Sequence, residues 1–174
     1  MRPIRALCLD LDNTLLDSSR FRDSIVRACE RIAATHSGLD AARLLEANDR
    51  AWQSYWAEVE ESWNLGGVDG AAVGREAWRR TLRACGCEDE AVAKLAHETH
   101  STLAAESHQL FDDVRELFAA AKLARVPVAL ITNGAADTQR EKLRVLGIEE
   151  VFDRVVISGE IGRASCRERV SSVV

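Results

Sequence analysis

The sequence predicts an α/β fold, an incomplete parallel sheet with a helical domain inserted after its first strand. Three observations carry this. A short apolar run, Ile4 to Leu11, ends in acid close to the N-terminus. A second apolar run, Val126 to Thr132, stops at Asn133-Gly134. Between them, from Ser18 to about Ser107, Ala, Arg, Glu and Leu dominate in a helical pattern.

Ile4 to Leu11 has the length and boundaries of a buried parallel strand. The helical stretch is broken at Ser37-Gly38, at Gly66-Gly67 and near Gly86, so it divides into about four helices. Asp112 to Arg125 is a further amphipathic helix. Val126 to Thr132 is the second strand, with Pro127 near its start. Ala136 to Leu146 returns to helix, and Gly147 stands as its C-cap. Val155 to Ser158 is a third short strand. Strands alternating with helices imply a parallel sheet. The block after the first strand is too long for a simple crossover and reads as an inserted cap.

Composition narrows the class. The chain has 174 residues, 47% of them hydrophobic, and a net charge of −5. No long Lys/Arg cluster marks a nucleic-acid groove. No run of about 18 apolar residues marks a membrane span. The N-terminal segment turns acidic too soon for a signal peptide. Cys8, Cys29, Cys85, Cys87 and Cys166 are odd in number and irregular in spacing, unlike a secreted disulfide framework. The expectation is a cytoplasmic protein with reduced thiols.

The sharpest motif is Asp10-Leu11-Asp12-Asn13-Thr14. It lies where the first strand meets a loop, at the carboxyl end, where open α/β sheets bind ligands. Side chains two apart on an extended strand point the same way. Two carboxylates so placed repel unless a cation or a proton sits between them. Mg2+ suits such a pair, because it takes one or two carboxylates together with phosphate oxygens. One carboxylate can attack phosphorus, and the other can exchange a proton with the leaving group and with water. The second motif, Thr132-Asn133-Gly134, offers a hydroxyl, an amide and backbone N–H groups at a helix start. Together the two favour phosphate binding, although Asn-Gly is also an ordinary turn pair.

These features resemble the haloacid dehalogenase superfamily, most closely its phosphatase branch with a helical cap after the first strand. The resemblance runs from about Ile4 to Glu160. It implies a Rossmann-like core over residues 1–17 and 109–160 and a cap over residues 18–108. It implies Asp10 as nucleophile and metal ligand, and Asp12 as general acid/base with its backbone carbonyl on the metal. It implies Thr132 and Asn133, with Gly134, as phosphate ligands, Mg2+ as cofactor, and a small phosphorylated metabolite as substrate. An acid at Asp12 favours phosphate esters, since the dehalogenases of the superfamily lack one there. The stretch Thr132 to Leu143, TNGAADTQREKL, is similar to that of N-acylneuraminate-9-phosphatases and related nucleotide phosphatases. That implies a sugar phosphate or a nucleotide. On spacing alone, Gln139 to Lys142 is as readily a solvated helix face.

Other candidates are plainer. Trp52, Trp56, Val59 and Trp63 recur at helical spacing and read as core between cap helices rather than a ligand-stacking wall. His97 and His100, three apart, read as a solvated pair. Arg20 and Arg22 read as exposed arginines at a helix start.

The family pattern expects a lysine after the third strand and then a fourth strand ending in paired acids. Neither follows here, since Lys142 is the last lysine of the chain. Ile161 to Val174 instead reads as an in-frame translation of a sequencing adaptor, a non-native tail. Two other readings stay open: a non-catalytic chain that binds a partner through its cap, and a dehalogenase or phosphomutase.

Overall fold

The structure is a computed structural model of the chain, and it describes residues 4–163. The chain forms two compact units. One comprises the N-terminal segment to Ser18, Ser62–Asp69 and the chain from Gln109 onward; the other comprises Ser19–Glu61 and Gly70–His108.

The first unit is built on a three-stranded parallel sheet in the order β1-β4-β5: β1 Leu7–Leu9, β4 Val128–Thr132 and β5 Arg154–Ile157. In register, Leu9 faces Leu130 of β4, while Leu130 and Thr132 face Val155 and Ile157 of β5. β4 alternates buried and half-buried residues, with Val128, Leu130 and Thr132 buried. Helices α5 (Val114–Ala124) and α6 (Ala136–Leu146) precede and follow β4. They bring Val114, Leu143 and Leu146 into one apolar cluster with Leu11, Leu15, Leu16, Leu130 and Ile148. Phe118 and Phe152 pack edge to face against it, ring centres 5.7 Å apart.

The second unit is helical, with α1 Phe21–Thr35, α3 Gly70–Ala84, α4 Glu90–Ser107 and most of α2 Ala41–Asn64. Its core is Ile25, Ala28, Cys29, Ile32, Leu44, Ala47, Trp78, Leu82, Val92, Ala93, Ala96 and Leu103. The glycine breaks are real turns. Gly38, Gly66 and Gly86 all take positive φ, which side chains with a Cβ resist.

The sequence reading departs from this structure in several places. The first strand is Leu7–Leu9, shorter than Ile4–Leu11, because the chain bends after Leu9 to make the acid-bearing loop. Ser158 opens a short helix, α7 Ser158–Ile161, instead of closing the third strand. An antiparallel pair, β2 Leu16–Asp17 with β3 Gln109–Leu110, was not anticipated; two-residue strands leave no alternation to read. Of the tryptophan stripe only Val59 is buried, while Trp52, Trp56 and Trp63 are half-buried; the core indole is Trp78. His100 is not solvated. It is buried beside Phe21 and Trp78, and Trp78 Nε1 donates to its Nδ1 at 3.3 Å. Arg22 is exposed as expected and ion-paired to Asp49 at 2.8 Å. The expected tail falls largely on residues 164–174, outside the described residues. Ile161 ends α7, and Gly162 caps it with φ 64.

Candidate active site

Asp10 stands one residue beyond β1, at the carboxyl end of the sheet. The chain then turns tightly. The N–H groups of Leu15 and Leu16 donate to the Leu11 carbonyl at 3.0 and 2.9 Å, and Asn13 N–H donates to the Leu16 carbonyl at 2.9 Å. Asn13 holds φ 58 in this turn, a left-handed conformation that Asn tolerates better than most residues. Leu11 and Leu15 are buried, so the turn is pinned from below while Asp10 keeps contact with solvent.

Asp10 has its carboxyl raised above the ordinary range. Burial of its charge is the first cause, and the neighbouring Asp12 charge adds to it. Hydrogen bonds from the Leu11 backbone and the Thr14 hydroxyl, and the Lys142 charge, pull the other way.

Asp12 is held from α6. Lys142 Nζ donates to Oδ1 at 2.7 Å and to Oδ2 at 2.9 Å, and Gln139 Nε2 donates to Oδ2 at 3.1 Å. Gln139 is fully buried, and its amide also donates to the Asn133 carbonyl. The Lys142 side chain is 15% exposed, too little for a solvated lysine. The reading of Gln139 to Lys142 as a solvated face is therefore corrected at Gln139 and Lys142, while Glu141 between them is exposed. The signal was present: Gln139, Lys142, Leu143 and Leu146 fall at i, i+3, i+4 and i+7, the spacing of an inward helix face.

The second motif lies at the end of β4. Thr132 is buried, and its hydroxyl has no hydrogen-bond partner in the protein. A buried, unpaired hydroxyl is costly and calls for an explanation. Gly134 N–H donates to Ser158 Oγ at 2.9 Å, so this N–H is engaged within the fold, while the Gly134 carbonyl accepts from Gly159 N–H at 3.1 Å. Gly134 has φ 136, and a Cβ there would overlap the Trp63 ring and the Gln139 amide. Asp10, Asp12, Thr132, Asn133 and Gly134 thus all lie at the carboxyl ends of β1 and β4. Gln139, Lys142, Ser158 and Trp63 join them and escaped the sequence reading as site residues.

Among the described residues no group of three or more His, Cys, Asp or Glu side chains could hold a metal ion. The donor set that is present still suits magnesium. Asp10 offers a hard carboxylate oxygen that keeps contact with solvent, and Asp12 would add its backbone carbonyl. Mg2+ commonly takes only one or two carboxylates and completes its shell with water and phosphate oxygens. No helix among the described residues is long and apolar enough to cross a membrane.

Comparison with known proteins bears on the family and the fold. The chain is 28% identical to a phosphoserine phosphatase of Thermus thermophilus over 91% of its own length and 70% of that protein. A HAD-type hydrolase of Bacillus subtilis, solved bound to magnesium, superposes with a TM-score of 0.57 at 22% identity, covering 94% of this chain and 67% of that one. A 2-haloacid dehalogenase of Pseudomonas syringae superposes with a TM-score of 0.59 at 21% identity, covering 92% of this chain and 66% of that one. The two structural likenesses speak to the fold. Residues 4–169 match the model of the haloacid dehalogenase-like hydrolases, and the chain belongs to that family of enzymes.

Proposed function

We propose that the chain carries the nucleophile half of a magnesium-dependent phosphohydrolase acting on a small phosphorylated metabolite, a sugar phosphate or a nucleotide. Its helical cap is the second unit, Ser19–Glu61 with Gly70–His108, so the expected span of 18–108 is interrupted at Ser62–Asp69. The observation that carries the reading is the buried, unpartnered Thr132 hydroxyl, a donor waiting for an anion at the strand end where Asp10 stands.

In this reading Asp10 attacks phosphorus, and the bond to the ester oxygen breaks. Asp12 gives a proton to that oxygen, leaving an aspartyl-phosphate on Asp10. Asp12 then takes a proton from water as the water attacks phosphorus, which releases phosphate and restores Asp10. Thr132 Oγ1 and Asn133 donate to the phosphoryl oxygens. Gly134 shapes the loop: its missing side chain lets Trp63 and Gln139 approach. Lys142 and Gln139 orient Asp12. Magnesium, when bound, would neutralise charge on the transferred group, with Asp10 and the Asp12 carbonyl as its protein ligands.

The phosphoserine phosphatase likeness supports phosphate chemistry. The dehalogenase likeness keeps a second reading alive at the level of fold alone. Phosphate release from a panel of phosphomonoesters, with and without magnesium, tests the proposal. Magnesium-dependent release that Asp10→Asn abolishes supports it. Chloride release from 2-chloropropionate without phosphate release points to the dehalogenase. Neither product would leave a non-catalytic binding chain.

A further inference from the structure

The carboxyl ends of the strands carry the acids, and the opposite end of the same sheet carries a cleft that the phosphate chemistry does not use. The cleft has a volume of about 530 Å³. It opens between the end of α5, the start of β4 and the turn Glu149–Val151, with Asp153 just ahead of β5. Pockets for small ligands begin at roughly 300 Å³, so the space suits a small molecule. Val128 begins β4 and Thr132 ends it, so the two places lie a strand's length apart.

The lining divides by chemistry. Phe118, Val128 and Val151 supply apolar surface. Lys122 and Arg125, at the end of α5, supply two cations, and Glu150 and Asp153 supply two acids from the neighbouring segment. Among the described residues none of these four side chains makes an ion pair, although charges of both signs line one cleft. Asp153 is held in place by β4: Val128 N–H donates to its Oδ2 at 2.8 Å, and Asp153 N–H donates back to the Val128 carbonyl at 2.8 Å. Arg125 is placed at a cost. It caps α5 with φ 54, the left-handed conformation that glycine or asparagine ordinarily takes at a helix end. A strained residue whose side chain has no partner among the described residues points to a task outside the fold.

Charges of both signs that face one cleft without meeting are matched by a ligand that carries both. Its carboxylate would lie on Arg125 and Lys122, its ammonium on Glu150 and Asp153, and its body on Phe118 and Val151. A simple anion would meet the acids, and a simple cation would meet the arginine and lysine. We propose that this cleft binds a small zwitterion with an apolar body, the chemistry of a free α-amino acid with an aromatic or aliphatic side chain. The site stands or falls independently of the phosphate reading.

Calorimetric titration of the chain with L-phenylalanine, 3-phenylpropionate and phenethylamine tests this, since the last two each lack one charge. Phenylalanine should bind about tenfold tighter than either. Arg125→Gly should weaken phenylalanine about tenfold with little change in melting temperature, because glycine adopts the same φ readily. Lys122→Gln, at an exposed helix position, should weaken it as well and carries the comparison if the glycine variant unfolds. Glu150→Gln should weaken phenylalanine while leaving 3-phenylpropionate no weaker. Equal affinity for the three probes, or no binding of phenylalanine at millimolar concentration, overturns the proposal. So does an affinity for phenylalanine that neither Arg125→Gly nor Lys122→Gln alters.

Discussion

Lys142 Nζ lies 2.7 and 2.9 Å from the two carboxylate oxygens of Asp12, across 130 residues of sequence. It is the cation that α6 delivers to the acid-bearing loop, and Gln139 on the same face completes the grip. With only 15% of the lysine side chain exposed, the pair is shielded more than a surface ion pair.

Lys142→Met should therefore cost stability, because it leaves Asp12 with only the Gln139 amide. Losing a partly buried, charge-assisted hydrogen bond should lower the unfolding free energy by roughly 1–2 kcal/mol. Urea denaturation at neutral pH measures it. A change close to zero would mean that the pair is solvated in solution.

Asp10→Asn should have two opposite effects. The amide cannot act as the nucleophile, so any turnover should fall by roughly three orders of magnitude or more. Stability should rise at neutral pH. Burial and the Asp12 charge raise the Asp10 carboxyl in the folded state, so the fold binds its proton more readily than the unfolded chain does. The ionised group thus weakens the fold above the carboxylate range, and the gain from Asn should shrink as the pH falls. Melting temperatures across a pH series would reveal the trend.

His100 predicts an acid lability. Burial pushes its imidazole down to about 4, with the nearby His97 charge adding to the effect. Because Trp78 donates to Nδ1, the ring's own proton sits on Nε2, which has no partner. The unfolded chain takes up a proton near the ordinary value of about 6.5, so stability is complete above that and falls as the pH drops toward 4. The loss should approach about 3 kcal/mol. His100→Leu should flatten most of this slope in acid unfolding monitored by circular dichroism. A slope equal to that of the parent would exclude His100 as its source.

Gly134→Ala should be among the most damaging single-methyl changes. It forces a Cβ into the Trp63 ring and the Gln139 amide at φ 136, where a side chain is already strained. A loss of roughly 2–4 kcal/mol follows from overpacking and backbone strain together. Differential scanning calorimetry provides the check, and a shift of under a degree would contradict the packing described here.

Among the described residues β1 pairs only with β4, and Cys8 on it is exposed. An unpaired apolar edge promotes association between chains. Cys8→Lys places a charge there and should reduce concentration-dependent light scattering under reducing conditions. Scattering that is indifferent to the charge would locate association elsewhere.

The sequence by itself determined the elements and the strand-end chemistry. Apolar runs of strand length, glycines at the breaks and an acid just beyond the first run are local properties, and local sterics and burial enforce them. Gly38, Gly66, Gly86 and Gly147 punctuate the chain where positive φ is needed, and Asp10 falls at a strand end because the apolar run stops there. Tertiary structure alone decided which partners those residues meet. Periodicity shows that Gln139 and Lys142 share a face with Leu143, but not that this face turns toward Asp12. It groups Trp63 with Trp52 and Trp56, yet only the packing of Gly66 on Gly159 sets Trp63 against Gly134. It pairs His97 with His100, yet only the arrangement of α1, α3 and α4 buries one of them between Phe21 and Trp78. The reason is physical. A helix or strand records how much of each face is buried, whereas the neighbour across that face is fixed by long-range packing that no single segment encodes.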